Sequence, residues 1–524
     1  MTEFDCIVVG SGINGLVCAA MLGRAGHTVA VLEREDVAGG CIRTGEITLP
    51  GFVHDTLSGF HPLFVGSAAY QTLGPQLHER GLEYGNNAFP TAVLMPDGRS
   101  LVLSRDRAAN ISRFDRCAPG DGARFAAAMD GVAANSSLTF GLLGNDLWTA
   151  RMAGQVARSA WRMSASGLVD YIGDALSTAR DWLENDFASD EARALFAPWV
   201  LHTGLGPDQA VSGYMAKVIA FSLEAAGAPV VRGGSARLVE AFVRLIEDQG
   251  GTVVCKADVE QILLAGKTAT GVRLSDGREM RARRGIFCSV TPQALYERML
   301  PAEAVPARVA ESARRFRFGR AGMQIHLALD CPLPWPTPDL ARTAMIHLTG
   351  GIDEVALAVT QASAGLLPGA PTIVLGQPTT NDPTRAPAGK DIAWLQLQEL
   401  PRVVRGDSLG ELAIPAGGAW DAALAQAYAD RVLARLERFL PGTSQRILKR
   451  TVLSPTDLEG MNCNLVGGDP YSGDCALDQS FLWRPSRATR NHRTPFANLF
   501  HIGASTHPGP GLGGGSGFIA AQYM

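Results

Sequence analysis

Short apolar runs bounded by glycine alternate along this chain with longer stretches in which apolar residues recur at helical spacing. The first run, Cys6-Ile-Val-Val9, ends at Gly10-Ser-Gly12-Ile-Asn14-Gly15; a helical stretch then reaches Ala25, and a second apolar run spans Thr28 to Leu32 before Glu33. Short β-branched runs of this kind predict buried parallel strands, so the order is strand, tight turn, helix, strand, acid. From about 105 to 230 the pattern turns alanine-rich and amphipathic, predicting helices with few strands. A helix over Ala236 to Gln249, a strand over Thr252 to Cys255, a strand pair turning at Ser275-Asp276-Gly277 and a buried strand over Gly285 to Ser289 follow. Strands at Gln324 to Leu329 and Ile392 to Gln398 belong to an α+β part, and a strand over Leu499 to Ile502 precedes a helix after Gly515. This predicts one sheet domain built from 1–75, 231–300 and 451–524, interrupted by a second, substrate-binding domain from 76–230 and 301–450.

The glycine spacing adds chemistry. Gly10 makes the tight turn, Gly12 lets backbone approach a pyrophosphate, and Gly15 lets the helix pack closely on the sheet. The free N–H groups of the helix N-terminus then receive the pyrophosphate. Glu33 at the end of the second strand can take both ribose hydroxyls and repels a 2′-phosphate, which favours FAD or NAD over NADP. The glycine pair Gly39-Gly40, with Arg34 and Arg43 nearby, permits a second close approach of backbone to cofactor and favours FAD.

These motifs resemble the opening of the amine-oxidase and phytoene-desaturase superfamily of flavoproteins. Gly39-Gly40 followed by Pro50-Gly51-Phe52 resembles its carotenoid-dehydrogenase branch. Arg232-Gly-Gly-Ser235 with Val259, Gly271-Val272 and Asp276-Gly277 resembles the family's second cofactor segment, and Pro378 to Gly389 its loop before a strand. Asn498-Leu-Phe-His-Ile-Gly503-Ala504-Ser-Thr-His507-Pro-Gly509-Pro-Gly511 is similar to the flavin-ring segment of carotenoid desaturases. The resemblance implies an α/β fold: a discontinuous, Rossmann-like FAD-binding domain of the glutathione-reductase type with an α+β substrate domain. It implies FAD contacts at Gly10, Gly12, Asn14, Gly15, Glu33, Arg34, Gly39, Gly40, Val259, Gly503, Ala504 and Gly511. It implies a non-covalent flavin, since relatives with a cysteinyl flavin carry the thiol near this C-terminal loop and no cysteine follows Cys475.

Three chemistries compete. A disulfide reductase needs a second cysteine five residues past Cys41, where Glu46 stands. Flavin amine oxidases usually hold a water with a lysine on the strand that here reads Gly322-Met-Gln-Ile-His-Leu, with Met323 or Gln324 at the lysine's place. Carbon–carbon desaturation of an apolar, isoprenoid- or carotenoid-like substrate, with O2 or a quinone as electron acceptor, asks least of side chains and is the expected activity. Amine oxidation is the alternative, and a flavin-stabilised, non-catalytic scaffold is a third reading. Histidines are the natural proton carriers near pH 7; His507 is expected beside the flavin and is the candidate catalytic residue, with His54 and His61 lining the substrate side and Asp55 either orienting His54 or serving as a turn acid.

Composition narrows the partners. Net charge is −4, so no electrostatic footprint for nucleic acid is present. Nine cysteines are scattered without a metal or disulfide framework, as in a reduced, cytoplasmic chain. No apolar run is long enough to span a bilayer. Read as a helix, Asn145 to Met163 gathers Trp148, Met152, Val156, Ala160 and Met163 beside Arg151, Arg158 and Arg162, a face that either rests peripherally in a membrane surface or packs on its own domain.

Overall fold

The computed structural model describes residues 2–524. The Thr2–Val9 strand lies inside a seven-stranded sheet because its last four residues are apolar and wholly buried between two parallel neighbours. Those neighbours are Val29–Leu32 and the long strand Glu279–Ser289, and Thr252–Val254 extends the parallel set beyond Leu32. Glu279–Ser289 changes partner along its length. Its start pairs antiparallel with Thr268–Leu274, and its end pairs in parallel with Leu499–Ile502. Five parallel strands therefore end together at Val9, Leu32, Val254, Ser289 and Ile502, drawn from sequence positions almost 500 residues apart. In an open α/β sheet that carboxyl edge is where ligands bind.

A second seven-stranded sheet runs in the order Ile447–Leu453, Ala321–Leu329, Asp391–Leu400, Ile373–Gly376, Met345–Leu348, Thr91–Leu94, Ser100–Leu103, antiparallel except where Met345–Leu348 meets Thr91–Leu94. One face carries Met323, Ile325, Leu395, Leu397 and Ile346, covered by the helix Ala422–Phe439. The opposite face looks toward the helical region between Arg107 and Ala226 and toward residues 56–60. In the helical region Phe114, Phe125 and Phe196 stack with Trp182 and Phe187 as its core.

The two sheets are tied by a buried charge knot. Arg385 is fully buried and donates to Asp55 at 2.9 Å, to Asp382 at 2.8 Å and to the Val231 carbonyl at 2.8 Å. Asp55 also accepts from Thr44 and the Ser235 amide, and Asp382 from the Gly233 amide. The segment Arg232 to Ser235 and the loop Pro378 to Gly389 thus meet at one point. Asp55 consequently does not orient His54, whose Nε2 lies 2.7 Å from the Thr48 hydroxyl.

The helix expected from Asn145 instead spans Ala150–Arg162, because Thr149 caps it by accepting from the Met152 amide. Trp148 lies outside it, half exposed, with Arg490 over its ring, while Met152 is buried. The expected single apolar face is therefore split between core and surface. Among the described residues no helix is long and apolar enough to cross a membrane.

Candidate flavin and substrate site

The turn after the first strand has the geometry its glycines demand. Gly10 sits at φ +91°, a conformation that costs L side chains energy. A Cβ at Gly15 would lie 2.0 Å from the Gly10 carbonyl oxygen, so the helix Ile13–Arg24 touches the turn with its backbone. A Cβ at Gly12, by contrast, would enter open space directly at the helix N-terminus. Free amides facing a space that only glycine leaves empty form a cradle for a pyrophosphate.

Glu33 is buried at the end of its strand. Its Oε2 accepts from the Ser11 amide at 2.9 Å and the Ser11 hydroxyl at 2.5 Å, and its Oε1 from the Glu35 amide at 3.0 Å. The Ser11 hydroxyl in turn accepts from the Gly39 amide at 2.9 Å. A Cβ at Gly40, φ +60°, would come within 3.0 Å of the Gly12 Cα. Glu33 and Gly39-Gly40 are thus locked onto the glycine turn through Ser11, a residue the sequence reading passed over. Arg34 is half exposed and pairs with Glu35 at 3.3 Å. The Asn14 side-chain oxygen accepts from the Gly517 amide, tying the first helix to the last. Val259 is buried where the antiparallel strand pair begins, two residues after Ala257, whose amide donates to the Glu33 carbonyl.

On the other side of the carboxyl edge, Gly503 has φ +106° and its amide donates to the Ser516 hydroxyl at 3.0 Å. The Ala504 carbonyl accepts two bonds from the buried Arg484, at 3.0 and 2.8 Å, which fixes the loop that follows. Gly511, φ +107°, lies against Leu63. Gly10 and Gly503 both pack against Ser289, so the N-terminal turn and the C-terminal loop border one space.

His507 is fully buried and both ring nitrogens lack a partner; its ring lies beside the backbone at Leu142 and Asn145. Its carbonyl accepts from His492 Nε2 at 2.7 Å. Burial pushes its pKa down to about 3, with His492 and Arg484 adding to the effect. His54 is likewise held down to about 3 and His61 to about 4, burial being the main cause in each. Burial thus favours the neutral imidazole in all three.

On the expected lysine strand, Ala321–Leu329, the residues facing away from the apolar core are Gly322, Gln324, His326 and Ala328. Gln324 donates to the Leu57 carbonyl at 2.9 Å and accepts from Trp394 Nε1 at 2.9 Å. Phe60 meets Trp394 with ring centroids 6.0 Å apart and tilted by 38°, an apolar wall too close-set to hold a ligand between its rings. Cys41 packs with Leu57, Leu458 and Leu465, and burial raises its pKa; all nine cysteines are free. Among the described residues no cluster of His, Cys, Asp or Glu could hold a metal.

A model of the flavin containing amine oxidoreductase family matches residues 13–515. A Mus musculus protein, pyridine nucleotide-disulfide oxidoreductase domain-containing protein 2, is 29% identical over 100% of this chain and 93% of its own length. The neurosporene-forming phytoene desaturase of Cereibacter sphaeroides is 26% identical over 98% of this chain and 93% of its own. A redesigned putrescine oxidase shares the fold with a TM-score of 0.61 at 15% identity, covering 100% of this chain and 98% of that one.

Proposed function

The chain belongs to the flavin containing amine oxidoreductase family and takes FAD as its cofactor, and from that premise we propose that it is a dehydrogenase that introduces a carbon–carbon double bond into an apolar substrate. The observation that carries this reading is the strand Ala321–Leu329: its site-facing positions hold Gln324, with both amide ends committed, and no lysine. When bound, FAD supplies a two-electron acceptor for a hydride leaving carbon; the neighbouring carbon loses a proton, and O2 or a quinone takes the electrons onward. The cradle at Gly10, Gly12 and Gly15 would hold the pyrophosphate and Glu33 the ribose, while Phe60 and Trp394 exclude water from the substrate side. His507 is the proposed flavin-side histidine by its place in the loop after Gly503, although its ring is sealed against Leu142 and Asn145. The full-length similarity to a phytoene desaturase supports this reading.

Amine oxidation, which the family's name and the fold shared with putrescine oxidase suggest, lacks its lysine here. The test is anaerobic flavin bleaching. A partly saturated polyene such as phytoene should bleach the visible flavin band, and putrescine or benzylamine should leave it oxidised. His507→Ala should slow bleaching by about two to four orders of magnitude if the ring moves the proton. Rapid bleaching by an amine overturns the proposal.

A further inference from the structure

The second sheet has one face that does not match an all-hydrocarbon substrate. Reading directly across its strands, Gln324 stands opposite Gln396, Gln396 opposite Val374, and Val374 opposite His347. Residues in register across antiparallel strands share a face, and alternation puts Gln398 there too. This is the face opposite the apolar core under the helix Ala422–Phe439. It is the face crossed by residues 56–60, of which Leu57 packs with Cys41, the neighbour of Gly40.

Two side chains show that an open space lies over it. Trp394 and Gln396 are partly exposed although their strand is interior to the sheet and its other face is sealed. Around that opening, polar capacity is unused. The Gln398 amide donates only a long 3.5 Å contact to the Gln396 side-chain oxygen, and its own buried oxygen has no partner. Two strand spacings away, about 10 Å, His347 and His202 share a single 3.1 Å contact between their Nε2 atoms, and His347 Nδ1 and Trp199 Nε1 are buried and unpartnered. A buried polar group without a partner costs on the order of 1 to 3 kcal/mol, so an orphaned set in one place needs a ligand or ordered water to justify it.

We propose that this face is a polar subsite for a neutral hydrogen-bonding group, a hydroxyl or carbonyl carried on an otherwise apolar substrate, with Gln396 as its contact and Gln398 behind it as the positioning residue. The inference rests on the desaturase reading for the apolar remainder of the substrate. A neutral group is assigned because the register row holds no carboxylate to meet an ammonium. Arg320, immediately before the strand Ala321–Leu329, gives one Nη to the Gly204 and Leu205 carbonyls and keeps a buried, unpartnered Nε, so the farnesoic acid arm below tests it directly.

The experiment titrates the FAD-loaded enzyme anaerobically with farnesol, farnesoic acid and farnesene, which share a skeleton and differ at one end, and reads the perturbation of the flavin spectrum. Farnesol should bind at least tenfold more tightly than farnesene. Gln396→Leu should remove that difference by weakening farnesol and sparing farnesene, and Gln398→Leu should do the same independently. Equal affinities in the parent enzyme, no binding of farnesol, or tighter binding of farnesoic acid overturns the proposal. If either variant loses its flavin, the ratio measured on the parent decides. Flavin reduction is scored separately: its absence with all three probes and with phytoene counts against desaturation and leaves the affinity ratio to judge the subsite.

Discussion

Lowering the pH from 7 to 5.5 should destabilise this protein far more than it does a typical globular chain. Eight of its ten histidines, His54, His61, His202, His326, His347, His492, His501 and His507, are held below their ordinary pKa by burial, those with a resolved value at about 3 to 4. Each stays neutral in the native state across this window, whereas an unfolded imidazole with a pKa of about 6.5 takes up a proton. The unfolded state therefore binds more protons, and stability present at pH 7 is lost as the pH falls, by about 1 kcal/mol per histidine. Glu399 opposes this. Burial raises its carboxyl to about 7, above its unfolded value, so its native state gains protons first and returns about 1–2 kcal/mol over the same window. Asp5 and Asp407, lowered to about 2, are ionised in both states and contribute nothing until more acid pH. The net loss, several kcal/mol for independent sites, is a large part of the whole stability of a typical domain at ~5–15 kcal/mol. Urea unfolding with saturating FAD, followed by far-UV circular dichroism at pH 7 and 5.5, measures it. A change in unfolding free energy below about 1 kcal/mol would refute the reasoning, because the histidines would then have to be hydrated or protonated in the native state.

Glu33→Ala should lower FAD affinity at least tenfold, about 1.4 kcal/mol, because it removes the carboxylate that holds Ser11 and Glu35 as well as the proposed ribose contact; fluorescence titration of the apoprotein checks it, and an unchanged dissociation constant contradicts the cradle. In the same preparation acid precipitation of the parent should release FAD into the supernatant. Arg385→Leu should cost about 3–5 kcal/mol by stranding the Asp55 and Asp382 carboxylates; urea denaturation at pH 7 reads this loss, and a cost under 1 kcal/mol would show the pair to be solvated.

The strand, turn, helix and strand at the N-terminus, and the strand at Leu499–Ile502, were legible because their signals are local: apolar runs bounded by glycine at fixed spacing. The cap at Thr149 was local too, but an unbroken helical period across Trp148 concealed it, and only the hydrogen bond to Met152 marks the true start. What could not be read was set by partners remote in sequence. Asp55 looked like a companion of the adjacent His54, yet its charge partner is Arg385, 330 positions on. Ser11 carried no signal apart from standing between two glycines, and its hydroxyl organises Glu33 and Gly39 only once the chain has folded. The polar row on the second sheet depends on register across four strands, and Gln396 or His347 alone reads as an ordinary strand residue. The histidines were visible; their neutrality follows from how deeply the fold buries them.

The contact of Asn14 with Gly517 has a consequence for the order of events in the cell. A Cβ at Gly517 would lie 1.9 Å from the Asn14 carbonyl oxygen, so the helix Gly515–Ala521 seats on the first helix backbone to backbone. The glycine turn is made first, and the strand and helix that complete its surroundings follow some 490 residues later. At ~5–20 residues per second, the nascent turn waits about half a minute or more with its amides uncovered. The cradle is thus completed only once the helix Gly515–Ala521 has been made and has seated on the first helix.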